Sequence, residues 1–259
     1  MHVAPLFAAA LLVGSSMHLA LGLDLPPAGA PVGIVFANQT AFRAPCVDFV
    51  STAPVVLAGR AADSLARLGW TTRGAIGTRF TEGAALQLLS VAGAIYLHSH
   101  GDHYWNPATH TRSSGVRVDG GRCSGAPTII APEIAATRAG AAAPVPTLVV
   151  ISSCHNGELR SKLPGAFGIP QRKSGPGQRG VDSFYLGYEG IAWQSGMVPF
   201  ERRFWAELVT GTSTGGAFDR ALLANFAPSE IDPEWWGSYD HFATAPGSAG
   251  APIDGGGYA

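Results

Sequence analysis

Within AIYLHSHGDHYW (residues 94–105), His98, His100, Asp102 and His103 bring three imidazoles and a carboxylate into six consecutive positions. A second concentration follows TLVVI (147–151), where Ser152, Ser153, Cys154, His155 and Asn156 stand in a row. Two chemistries fit these groups. Imidazole and carboxylate ligands suit zinc, which turns bound water into hydroxide near neutral pH, and His155, Asp182 and His241 stand downstream as later ligands. A thiol nucleophile instead needs an imidazole that takes its proton and returns it to the leaving amine, plus backbone N–H groups aimed at the oxyanion. His100 supplies the imidazole for Cys154; Gly101, with no side chain, lets its N–H approach a substrate closely, and the Cys154 N–H is the second donor.

Elements must bring these residues together. Ala94 to Leu97 and Thr147 to Ile151 are short apolar runs that end abruptly in polar residues, the pattern of buried strands with chemistry at their carboxyl ends. Val32 to Ala37, Thr71 to Ile76 and Ser183 to Tyr188 read as further strands. Between them, apolar residues recur at helical spacing over Val55 to Leu68, stopped by Gly69, and after Thr81 and Glu82. Thr128 to Ile130 is a minor strand before a helix started at Pro132, and Met197 to Leu208 and Ala217 to Asn225 are helices. Alternating strand and helix predicts an α/β fold with a mostly parallel sheet and helices on both faces. His100 and Cys154 then emerge at one edge. Ser99 to Ala126 shows no usable period and is expected to be a long irregular loop, and Gly165 to Gly180 a second, basic and mobile one.

With 46% apolar residues the chain can fill a substantial core, and a net charge of -1 argues against a nucleic-acid partner or polybasic membrane attachment. No charged residue precedes Asp24, so residues 1–23 read as an export signal, placing the protein outside the cell or in the envelope with no stable membrane insertion afterwards. The domain itself is expected over 32–226, and 227–259, rich in Gly, Pro and Trp, as a partly disordered tail. In an oxidising compartment Cys46 and Cys123 would pair and leave Cys154 free; in a reducing one all three remain thiols.

Two resemblances follow from these residues. His98-x-His100-x-Asp102-His103 resembles the zinc signature of the metallo-β-lactamase family, although that family's antiparallel sandwich does not suit segments alternating with helices. The strand ending in His100-Gly101, LVVISSC ending in Cys154, and the blocks DSFYLGYEG, FERRFWAELVTG and AFDRALLAN resemble the caspase-like (clan CD) cysteine peptidases, nearest the clostripain and gingipain branch, over Val32 to Asn225. That resemblance implies a caspase-like sheet, a peptide or protein substrate, no cofactor, His100 as general acid/base and Cys154 as nucleophile. It also implies that the segment after Ser183–Tyr188 walls the specificity pocket, where Glu189 could pair with a basic side chain before the scissile bond. A third expectation is a caspase-like scaffold that binds peptides without turnover. The likeness assigns no role to His98, Asp102 or His103.

Overall fold

A computed structural model describes residues 22–27, 29–38, 40–43, 47–50, 53–118, 127–141 and 143–248. Nearly all of the expected export signal, Cys46, Cys123 and the end of the expected tail lie outside the described residues.

The chain opens with strand β1 (Val32–Ala37), a small antiparallel pair, β2 (Thr40–Arg43) and β3 (Val47–Val50), and helix α1 (Ala53–Arg67). Leu57, Ala58, Ala61, Ala62 and Leu65 form the apolar stripe that buries α1. Gly69, at φ 90°, reverses the chain at its end. Next come β4 (Thr71–Ile76), α2 (Glu82–Leu89) with Thr81 accepting from the Ala84 N–H as its cap, and β5 (Ala94–His98). Then β6 (Gly101–Asn106), β7 (Thr111–Arg117) and β8 (Thr128–Ile130) form a three-stranded antiparallel sheet, followed by α3 (Ala131–Gly140) and β9 (Leu148–Ser152). The remainder comprises α4 (Leu163–Ala166), β10 (Lys173–Ser174), β11 (Phe184–Tyr188), α5 (Gln194–Val209), α6 (Thr214–Leu223) and β12 (Pro233–Ser238).

Seven strands make the central sheet in the order β10-β12-β11-β9-β5-β1-β4. From β4 to β11 all neighbours are parallel; β12 is antiparallel to β11 and parallel to β10. The fold is thus a mostly parallel α/β sheet flanked by helices on both faces. Every residue of β1, β5, β9 and β11 is buried, which explains their largely apolar character up to the polar His98 and Ser152 that end β5 and β9. Even-numbered side chains of β5, β9 and β11, such as Tyr96, Val150 and Leu186, pack under α1, α5 and α6. The odd-numbered Ile95, Leu97, Val149 and Ile151 pack under α2 and α3. Among the described residues no helix is long and apolar enough to cross a membrane.

Three expectations are corrected. Residues 101–117, expected to be loop, are the β6–β7 hairpin. Polar residues occupy several of its buried positions, Asn106, Ser113 and Ser114 among them, so no apolar period betrays its strands. The 227–259 tail contains β12, which pairs with β11, and the folded unit therefore passes residue 226. Pro heads this strand, where no ladder N–H is lost, and Trp235 stacks on Phe184 with ring centroids 5.4 Å apart. The 165–180 segment is ordered in part, since β10 joins the sheet through β12.

Candidate active site

The site is built by register. Along the β5–β9 pairing His98 stands opposite Ser152, and the Ser99 N–H donates to the Ser152 carbonyl (3.2 Å). His100 and Cys154 each lie two residues further on, at the carboxyl ends of adjacent parallel strands. The next residue closes the gap: a Cβ on Gly101 would lie 2.3 Å from both the Cys154 carbonyl oxygen and Asn156 Nδ2, so only glycine lets β6 leave past the turn after β9.

That turn is held from several directions. His155 sits at φ 60°, in the left-handed region that non-glycine residues rarely enter. Its N–H donates to the Gly190 carbonyl (2.8 Å), and the Gly157 N–H donates to that of Tyr188 (2.8 Å). Asn156, fully buried, donates to the Gly115 carbonyl (3.2 Å) and to Ser153 Oγ (2.5 Å), while the Tyr185 hydroxyl donates to the Asn156 carbonyl (2.8 Å). Strain of about 1–3 kcal/mol at a single residue persists only where surrounding bonds over-determine it.

The Cys154 sulfur faces the backbone after β11, accepting the Ala192 N–H at 3.4 Å with the Ala192 carbonyl at 3.9 Å. Burial pushes its thiol above the ordinary value of 9.0, the Ala192 N–H and its own N–H pull the other way, and the Asp102 carboxylate adds a further upward push. The net direction is upward, which favours the protonated thiol over the thiolate. The Tyr104 hydroxyl donates to the His100 carbonyl (3.3 Å), and burial lifts it to about 12, so it stays a donor.

The other histidines of the cluster diverge. His98 points inward, its Nδ1 2.7 Å from Ser152 Oγ, and burial followed by the charge of His100 lowers it to about 3. His103 turns to Glu158 (3.3 Å) and Ser114 (3.3 Å), and His155 bonds the same Glu158 (2.7 Å), which Arg160 also contacts. Burial opposes ionisation of Glu158, but those three donors outweigh it and hold the carboxyl at about 2. The Asp102 carboxylate accepts the His103 N–H (2.6 Å). His241 lies beside Thr147, at the amino end of β9 and so across the sheet from His100. Among the described residues no group of three or more His, Cys, Asp or Glu side chains is arranged to hold a metal ion.

Glu189 lines an open surface recess of about 420 Å³ together with Glu158, Leu159, Arg160 and Gly190. Burial first, then the charges of Glu234, Asp232 and Glu158, raise its carboxyl above 4.5. Two groups escaped the sequence reading. Glu158 lies four residues after Cys154, with no spacing that marks it, and Glu201 sits in a helix as one more charged letter in FERRF.

No protein-family description and no curated protein matches this sequence. Among solved structures, protein GSU0716 from Geobacter sulfurreducens is similar at 12% identity and a TM-score of 0.55, with 83% of this chain and 99% of that one covered. The Arg-specific cysteine proteinase gingipain R (RGPB) aligns at 10% identity and a TM-score of 0.46, over 84% of this chain and 47% of its own. At these identities the first likeness speaks to fold alone.

Proposed function

We propose that the protein is a caspase-like cysteine peptidase in which Cys154 is the nucleophile and His100 the general acid/base. The observation that supports this reading is the β5–β9 register, which pairs His98 with Ser152 two residues before His100 and Cys154, together with the close approach at Gly101, where a Cβ would lie 2.3 Å from the Cys154 carbonyl oxygen. His100 takes the thiol proton, the thiolate adds to the scissile carbonyl carbon, and the N–H groups of Gly101 and Cys154 receive the oxyanion. Collapse expels the amine, protonated by the His100 imidazolium, and leaves a thioester. Water, giving its proton to His100, adds to that thioester; the acid departs and the thiolate recovers its proton. The substrate is a peptide or protein. Glu189, whose carboxyl feels the charges of Glu234, Asp232 and Glu158 against that of Lys173, favours a basic side chain before the scissile bond.

The test is alkylation of Cys154 by a peptidyl electrophile carrying Arg, Lys or an uncharged residue at its terminal position. The wild type should label fastest with Arg or Lys, and His100→Ala should slow labelling by about 10²–10⁴-fold. Equal rates in the wild type and His100→Ala would overturn the dyad. A preference for basic probes unchanged in Glu189→Gln would remove Glu189 from the reading. Labelling without turnover of any peptide would leave a binding module.

A further inference from the structure

The fully buried Glu201 of α5 accepts three hydroxyls: Tyr96 at 2.9 Å, Tyr188 at 2.8 Å and Ser152 at 2.5 Å. Tyr96 is on β5, Ser152 on β9 and Tyr188 on β11. These are the three strands that deliver the site, for β5 leads to His100 and Gly101, β9 to Cys154, and β11 to Glu189 and to the Ala192 N–H on the sulfur. Ser152 and Tyr188 stand level, each two residues beyond the paired Val150 and Leu186. His98 Nδ1 lies 2.7 Å from the same Ser152 hydroxyl, which draws the last residue of β5 into the same hydrogen-bonded group. The carboxylate's own helix starts at Gln194, directly after Ala192 and Trp193.

We propose that Glu201 is a positioning residue, a single carboxylate that clamps the ends of β5, β9 and β11 to a common height so that His100, Cys154 and Ala192 meet. The inference rests on the Cys154–His100 reading. A buried carboxyl is an expensive way to fill a core that leucine would fill without loss. Burial lifts this one to about 7, against the pull of its three hydroxyl partners. What leucine cannot do is accept from three strands at once.

Tyr96→Phe, Tyr188→Phe and Ser152→Ala each remove one arm at little change of volume, and Glu201→Gln alters the hub. Each should lower kcat by about 10- to 100-fold with KM nearly constant, because misplacement of reacting groups by an ångström costs that much. Amide hydrogen exchange should quicken about tenfold or more at residues 99–101, 153–157 and 189–193, while α2 and α3, on the other face, keep their protection. Variants that melt earlier yet keep wild-type kcat and wild-type exchange at those segments would overturn the clamp and leave a packing group. The exchange measurement needs no chemistry. Should His100→Ala label like the wild type, the peptidase reading fails alone, and the exchange pattern still decides whether Glu201 holds the three ends.

Discussion

Replacing Gly101 with alanine sets a Cβ 2.3 Å from a backbone oxygen of the turn that carries Cys154, so either β6 or that turn must move. Overpacking of this kind costs about 1–3 kcal/mol. Gly101→Ala is therefore expected to lower the urea midpoint and to slow Cys154 alkylation more than the stability loss alone accounts for, measured on the fraction still folded. The strand ends that precede His100 and Cys154 are legible because each apolar run stops abruptly, and a strand end is a local signal. His98 and His103 were not separable from His100 by letters. Their partners, Ser152 and Glu158, lie more than fifty residues away in sequence. Glu201 was invisible for the same reason, since its role comes from three strands that the helix meets only in the folded chain.

The strands and helices of the main sheet follow from periodicity: β1 and β4 match their expected limits to the residue, and β5, β9 and β11 shift by one. The antiparallel additions do not. In β7 the buried positions include serines, of which Ser114 is satisfied by His103 and the Lys162 N–H, and polar residues at buried positions leave no hydrophobic pattern. In β12 the composition Pro-Glu-Trp-Trp-Gly-Ser reads as turn or tail, yet Trp235 enters the core under α5 while Trp236 packs against the other face. If β12 is integral, Trp235→Ala should cost about 3–5 kcal/mol in denaturant unfolding, as for a buried aromatic, rather than the few tenths expected of a tail. A loss below 1 kcal/mol would show that the strand is dispensable.

Across the whole molecule, Glu201 and His98 make stability depend on pH in opposite senses. Glu201, raised from 4.5 to about 7, keeps its proton in the folded state after the unfolded chain has lost its own. Its contribution is complete below about pH 4.5 and is lost as pH rises through 7. His98, lowered from 6.5 to about 3, contributes fully above pH 6.5 and loses that contribution as pH falls through 3. Between 4.5 and 6.5 the two slopes cancel. Urea midpoints of the wild type and Glu201→Gln, compared from pH 5 to 8, should therefore shift in favour of the variant up to about pH 7 and run parallel above it. A constant gap would mean that the carboxyl titrates as it does in water.

The place of β12 in the sheet has a consequence for the order of assembly during synthesis. β11 is made long before its antiparallel neighbour, because α5 and α6 intervene in the chain. At ordinary rates of translation the edge of β11 waits on the order of seconds for Pro233–Ser238 to emerge. An unpaired edge on a strand rich in aromatic and apolar residues is a template for foreign strands. The nascent chain is thus most exposed to mispairing in the interval when both strands that bear His100 and Cys154 are already complete, and β12 closes that interval by taking the edge for itself.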